Sequence, residues 1–173
     1  GSFTKEVCQQ HEPMGECDGN VVHSIGGIAL WFFESYFPYE GSGHGLSCMT
    51  EVPKPGVIKN FHAYRNQKGI EFFDIGAMRL ENCVLAESSD SAVEWKRLYD
   101  VSWDSETIGA YMVNTTIAAR TSRYDDVVGM VQERAGLIIP AQSGLLVDGI
   151  DFIGFGNEMT WTGPSEKDNK LFV

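Results

Sequence analysis

The chain has 173 residues, of which 43% are apolar and 12% aromatic, with 19 glycines, a composition that suits one folded, β-rich domain and not a disordered chain. Its net charge of −11, from 24 acidic and 13 basic residues, argues against nucleic acid and anionic membrane surfaces, and makes a polyanionic glycan a poor ligand unless the basic residues share one face. No apolar run reaches the roughly 18 to 20 residues of a bilayer span; the longest, 25–33, falls far short.

Residues 1–19 are polar and irregular and are expected to form a lead-in loop or N-terminal cap. Gly1-Ser2, with no initiator Met or signal sequence, reads as what tag removal leaves, so the chain is expected to be a piece of a longer protein. Cys8 and Cys17 enclose a polar loop holding Pro and Gly and could form a local disulfide. None of the four cysteines has the Cys-x-x-Cys spacing of a zinc or redox site, so no metal is expected at them. Cys83, in an apolar run, reads as a small buried hydrophobe.

From Asn20 to Tyr39 the chain is apolar and aromatic, which predicts strands covered on both sides, or one helical turn followed by a strand. Glycines and prolines bracket a loop over 41–55. Short strands are predicted at 57–64, 70–73, 78–86, 92–95, 111–119, 136–139, 145–147 and 151–155, with polar turns between them. The single helix the pattern allows is 124–135, where Val127, Val128, Val131 and Ala135 would share a face.

One repeat orders these pieces. Asn60-Phe-His-Ala-Tyr-Arg-Asn-Gln-Lys-Gly69-Ile-Glu-Phe72 is echoed 22 residues later by Asn82-Cys-Val-Leu-Ala-Glu-Ser-Ser-Asp-Ser-Ala92-Val-Glu-Trp95, with weaker copies near Asn20, Asn114 and Gly149. A period this short predicts an all-β solenoid, a parallel β-helix of about five to six coils with long loops, over 20–157, leaving 158–173 as a C-terminal extension or cap. Asn20, Asn60, Asn82 and Asn114 then read as a structural ladder at a sharp corner, since Asn tolerates a left-handed backbone and its amide can reach the next coil. Gly149 suits the same corner without a side chain.

These elements together resemble the fibrocystin and fibrocystin-L family. The likeness rests on Cys17-Asp-Gly-Asn-Val-Val-His-Ser, Gly27-Ile-Ala-Leu-Trp-Phe-Phe33, Phe61-His-Ala-Tyr-Arg-Asn-Gln-Lys-Gly-Ile-Glu-Phe72, and Gly136-Leu-Ile-Ile-Pro140 followed by Gly144 to Phe155, in this order. The chain is more distantly similar to the cell-surface hyaluronidases. The resemblance implies a right-handed β-helix within a very large secreted or surface protein, on cilia, stereocilia or the cell coat. It carries over no catalytic residue.

Among candidate sites, His62 falls opposite Phe61 on its strand and is expected beside Arg65 and Glu71, on a face that could meet a glycan. Glu71 and Glu94 hold equivalent places in successive coils, about 4.8 Å apart, close enough to couple their titrations. Such a pair calls for a cation, with calcium the one cofactor considered, or for relief by Arg65 or Lys96. Trp31, Phe33, Tyr36, Phe37, Tyr39, Phe72, Phe73, Trp95 and Trp103 could form a sugar-stacking platform, although equivalent places for Phe72 and Trp95 favour an internal aromatic ladder. Asn114-Thr-Thr is the one N-glycosylation acceptor in the sequence. The expected function is a non-enzymatic extracellular spacer that binds a protein or glycan and continues into the rest of a larger chain, with self-association end to end through open coil edges. A glycan-cleaving enzyme is the alternative, and it requires His62, Arg65 and Glu71 to converge.

Overall fold

The structure, a computed structural model, describes residues 9–33, 35–39, 54–98, 109–119, 135–140 and 144–155, together with the backbone of 170–171. Among these residues the chain is all-β, save one 3-10 turn at Gln9–His11. Thirteen strands follow it: β1 (Cys17–Asp18), β2 (Val21–His23), β3 (Ile28–Phe32), β4 (Gly56–Lys59), β5 (His62–Tyr64), β6 (Lys68–Phe72), β7 (Met78–Glu81), β8 (Val84–Ala86), β9 (Ser91–Trp95), β10 (Ala110–Ala118), β11 (Ala135–Ile138), β12 (Leu145–Ile153) and β13 (Lys170–Leu171). The helix expected over 124–135 lies outside the described residues except for Ala135, which opens β11.

Successive coils stack in parallel as a β-solenoid. In the first sheet β1, β4, β7 and the front of β10 lie side by side, as do β2, β5, β8 and the back of β10, and β12 closes the stack on β10. The second sheet is β3, β6, β9 and β11 in parallel, with β13 added antiparallel to β11. The solenoid thus shows five coils among the described residues.

Two corner columns turn the chain. Asn60, Asn82 and Asn114 have φ of 50°, 55° and 48°, and Gly149 has 62°. The strand register places the same corner of the first coil at Gly19, with φ 68°, because Asp18 pairs with Lys59 and Gly19 N–H donates to the Lys59 carbonyl. Asn20 is therefore one place outside the column where the sequence reading put it. The side-chain bond joining this corner across coils is Asn60 Nδ2 to Asp18 Oδ1, 2.6 Å, and so runs to an aspartate and not to a second asparagine. The second column, Ser24, Arg65, Glu87 and Gly154, turns from the first sheet toward the second, again with positive φ.

Alternate side chains of each strand point inward and stack on the equivalent residue of the next coil. Ile58, Leu80 and Met112 make one such column, Ala63, Leu85 and Ile117 another, and Ile70, Val93 and Leu137 a third, all almost fully buried. Phe32, Phe72 and Trp95 form an aromatic ladder, with ring centroids 5.4 and 4.4 Å apart. Cys83 is buried in the core, as its apolar setting predicts. Cys17 carries a free thiol in this structure, and Cys8, with which the sequence allows a bridge, lies outside the described residues.

Candidate ligand-binding face

The outer side of the second sheet collects charge and aromatic surface. Glu71 on β6 and Glu94 on β9 are register partners, so parallel pairing stacks their carboxylates one strand spacing apart. Two like charges this close demand a cation, and the chain supplies its own. Lys68 Nζ donates to Oε2 of both Glu71 and Glu94 and lies 3.9 Å from Asp90 Oδ2, while Lys96 Nζ is 3.2 Å from Glu71 Oε1. Burial alone would raise the Glu71 pKa, but hydrogen bonds and charge from Lys68 and Lys96 outweigh it and hold the carboxyl below its ordinary value. For Lys68 burial pulls the pKa down, and the two glutamates more than reverse it, leaving the ammonium raised.

The sequence leaves this carboxylate pair to a cation or to a basic neighbour. The Lys68 ammonium bridges the two carboxylates, which is the place a cation would take, and no group of three or more His, Cys, Asp or Glu suited to a metal occurs among the described residues. Arg65 takes no part in it, being paired with Glu87 at 3.0 Å on the second corner column.

Beside the charged cluster lies an aromatic surface. Trp31 is the register partner of Glu71, and Phe33, Phe73 and Lys96 follow the strands at matching places in three coils. Trp31 and Phe33 are 52% and 53% exposed, with ring centroids 4.7 Å apart, and Phe33 lies 5.2 Å from Phe73. Lys96 Nζ sits 5.1 Å from the Phe73 ring centre, so one ammonium touches both the carboxylate cluster and the aromatic surface. The apolar run 25–33 is thus covered on one side only: Phe32 points into the core ladder, while Trp31 and Phe33 face out.

The remaining expected site residues are spread elsewhere. His62 is exposed on β5 in the first sheet, between Val21 and Val84, and Glu71 is buried in the second, so the structure does not bring His62, Arg65 and Glu71 together. His23 stacks on Tyr64 at 4.9 Å, and His11 is buried with Nδ1 3.0 Å from the Phe37 carbonyl. His44 lies outside the described residues. Two residues that matter were missed in the sequence. Lys68 was passed over because strand residues three apart face opposite sides, yet from the first position of β6 its long side chain reaches round to Glu71. Asn66 falls in a polar stretch between two predicted strands, but it is buried and clips two coils together, accepting from Ile25 N–H at 3.0 Å and donating to the Val22 carbonyl at 3.3 Å.

No family model matches the chain, and no solved structure matches it. Two curated proteins do: fibrocystin-L of Mus musculus is 33% identical over 160 residues, and fibrocystin-L of Homo sapiens is 32% identical over 160 residues. Each alignment takes in 89% of this chain and 4% of the relative, so the chain spans about one twenty-fifth of the relatives it matches. The resemblance drawn from the ordered motifs is met: this β-solenoid is similar to a short segment of fibrocystin-L.

Proposed function

We propose that the chain is a non-catalytic segment of a very large extracellular or cell-surface protein, in which the solenoid is a stiff spacer and the outer face of its second sheet binds a neutral glycan. The observation that carries this reading is the pair of half-exposed rings, Trp31 and Phe33, set on a rigid strand beside Lys96 and Glu94. The apolar C–H face of a sugar ring gains by covering such surface, and its hydroxyls find an ammonium and a carboxylate at the rim. The charge of −11 favours a neutral sugar over a polyanionic one.

Similarity to 4% of fibrocystin-L supports the view of a segment within a longer chain. The cell coat, cilium or stereocilium is the setting this suggests, and the open edges of β2 and β12 would be met by neighbouring coils or by a second copy. Dispersal of His62, Arg65 and Glu71 over two sheets, with Arg65 and Glu71 already in ion pairs, argues against glycan cleavage. The test is a glycan-array screen on the purified chain, with and without calcium, followed by incubation with each hit. Binding of neutral glycans without shortening, and without calcium dependence, is the expected result; shortening of a bound glycan would overturn the non-catalytic reading.

A further inference from the structure

The asparagines of the first corner column are not equivalent. Asn60 spends its Nδ2 on Asp18, and Asn66 and Asn20, outside the column, spend theirs on the Val22 carbonyl and on Cys17 Sγ. Asn82 and Asn114 are both exposed, and no hydrogen bond engages the Nδ2 of either among the described residues. Asn114 differs from both Asn60 and Asn82 in two respects. Its Oδ1 is turned toward Gly149 in the next coil, so close that a Cβ on Gly149 would lie 2.9 Å from it. The corner above it therefore carries no side chain. Finally, Asn114 is followed by Thr115 and Thr116, of which Thr115 is buried and bonded to the Val113 carbonyl and Cys83 N–H, while Thr116 is the hydroxyl at the acceptor position.

We propose that Asn114 carries an N-linked glycan. In the transfer, Nδ2 attacks C1 of the reducing-end sugar of a lipid-linked oligosaccharide; the new C–N bond replaces the C1–O bond to the diphosphate, polyprenyl diphosphate leaves, and the amide gives up one proton. Once attached, the sugar projects from the corner of the first sheet. The Trp31 and Phe33 face lies on the second sheet, so the glycan leaves it clear and instead bars lateral packing at this corner. The proposal rests on the extracellular reading above, because the transfer takes place on the secretory route.

The test is expression of the chain behind a secretory signal in a eukaryotic host, with intact mass read before and after endoglycosidase, in medium and in the lumenal fraction. Asn114→Gly keeps the left-handed corner while removing the acceptor, and Thr116→Val removes the hydroxyl on a strand that favours β-branched residues. Wild type is expected to lose mass on digestion, Thr116→Ser to behave as wild type, and both other variants to show no change. Translocated wild type with no glycan, or a glycan that persists in Asn114→Gly, would overturn the site. Neither result bears on the ligand face, which the glycan array reads separately.

Discussion

Arg65 Nε donates to Glu87 Oε2 at 3.0 Å across one coil, and both residues hold a left-handed backbone, with φ of 57° and 54°. An L side chain in this region costs about 1 kcal/mol or more, which glycine avoids. The surface pair returns only about 0.2 to 1 kcal/mol. Replacing Arg65 by Gly should therefore relieve strain while losing the pair, whereas Arg65→Ala loses the pair and keeps the strain. Denaturant titration should find Arg65→Gly more stable than Arg65→Ala by roughly 1 kcal/mol.

Lys68→Met leaves Glu71 and Glu94 stacked with one ammonium fewer, which should cost roughly 2 to 4 kcal/mol at pH 7. The pH dependence follows from the two shifts. Glu71 has a folded pKa below its ordinary 4.5, so its contribution is present above that value and is lost as pH falls through the folded pKa. Lys68 has a folded pKa above its ordinary 10.5, so its contribution is present below that value and is lost as pH rises through the folded pKa. The gap in stability between wild type and variant should be widest between about pH 5 and 10 and should narrow below pH 4. Denaturation midpoints measured across that range check the sign.

Gly69 on β6 lies against β9, and an added Cβ would run into the Ala92 backbone carbonyl. Backbone cannot move aside as a side-chain tip can, so Gly69→Ala should cost about 3 kcal/mol by thermal or chemical unfolding. Gly149→Ala meets a softer obstacle, the Asn114 amide, but also a φ of 62°. Its cost should be about 1 to 2 kcal/mol.

Neighbouring aromatics on β3 and β6 should separate stability from binding. Phe72→Ala opens the core ladder against Trp95 and should cost about 3 to 5 kcal/mol. Trp31→Ala removes a half-exposed ring from the outside and should change stability by less than about 1 kcal/mol. Unfolding curves of the two variants, measured side by side, check the contrast.

The solenoid was legible because one pair of coils, Asn60 to Asn82, carries no insertion, so a 22-residue echo exposes corner, strand and aromatic together. Elsewhere the corner spacing stretches to 41 residues between Gly19 and Asn60, and nothing in the sequence says where the extra residues leave the coil, so the pattern alone points to Asn20 and not to Gly19. The stacked pair Glu71 and Glu94 followed from the same echo. The lysine that bridges it did not, because its reach depends on how a flexible side chain bends at the start of a strand. The expectation for His62 failed on a different ground: alternation says which side of a strand a residue faces, but the corner at Arg65 puts the next strand in another sheet.

The most direct test is to take neutral glycans that bind the wild-type chain and measure their affinity for Trp31→Ala/Phe33→Ala on the second sheet and for His62→Ala/Tyr64→Ala on the first. The account predicts a loss of tenfold or more for the first pair and no change for the second. Undiminished binding by Trp31→Ala/Phe33→Ala, with loss in His62→Ala/Tyr64→Ala, would contradict it.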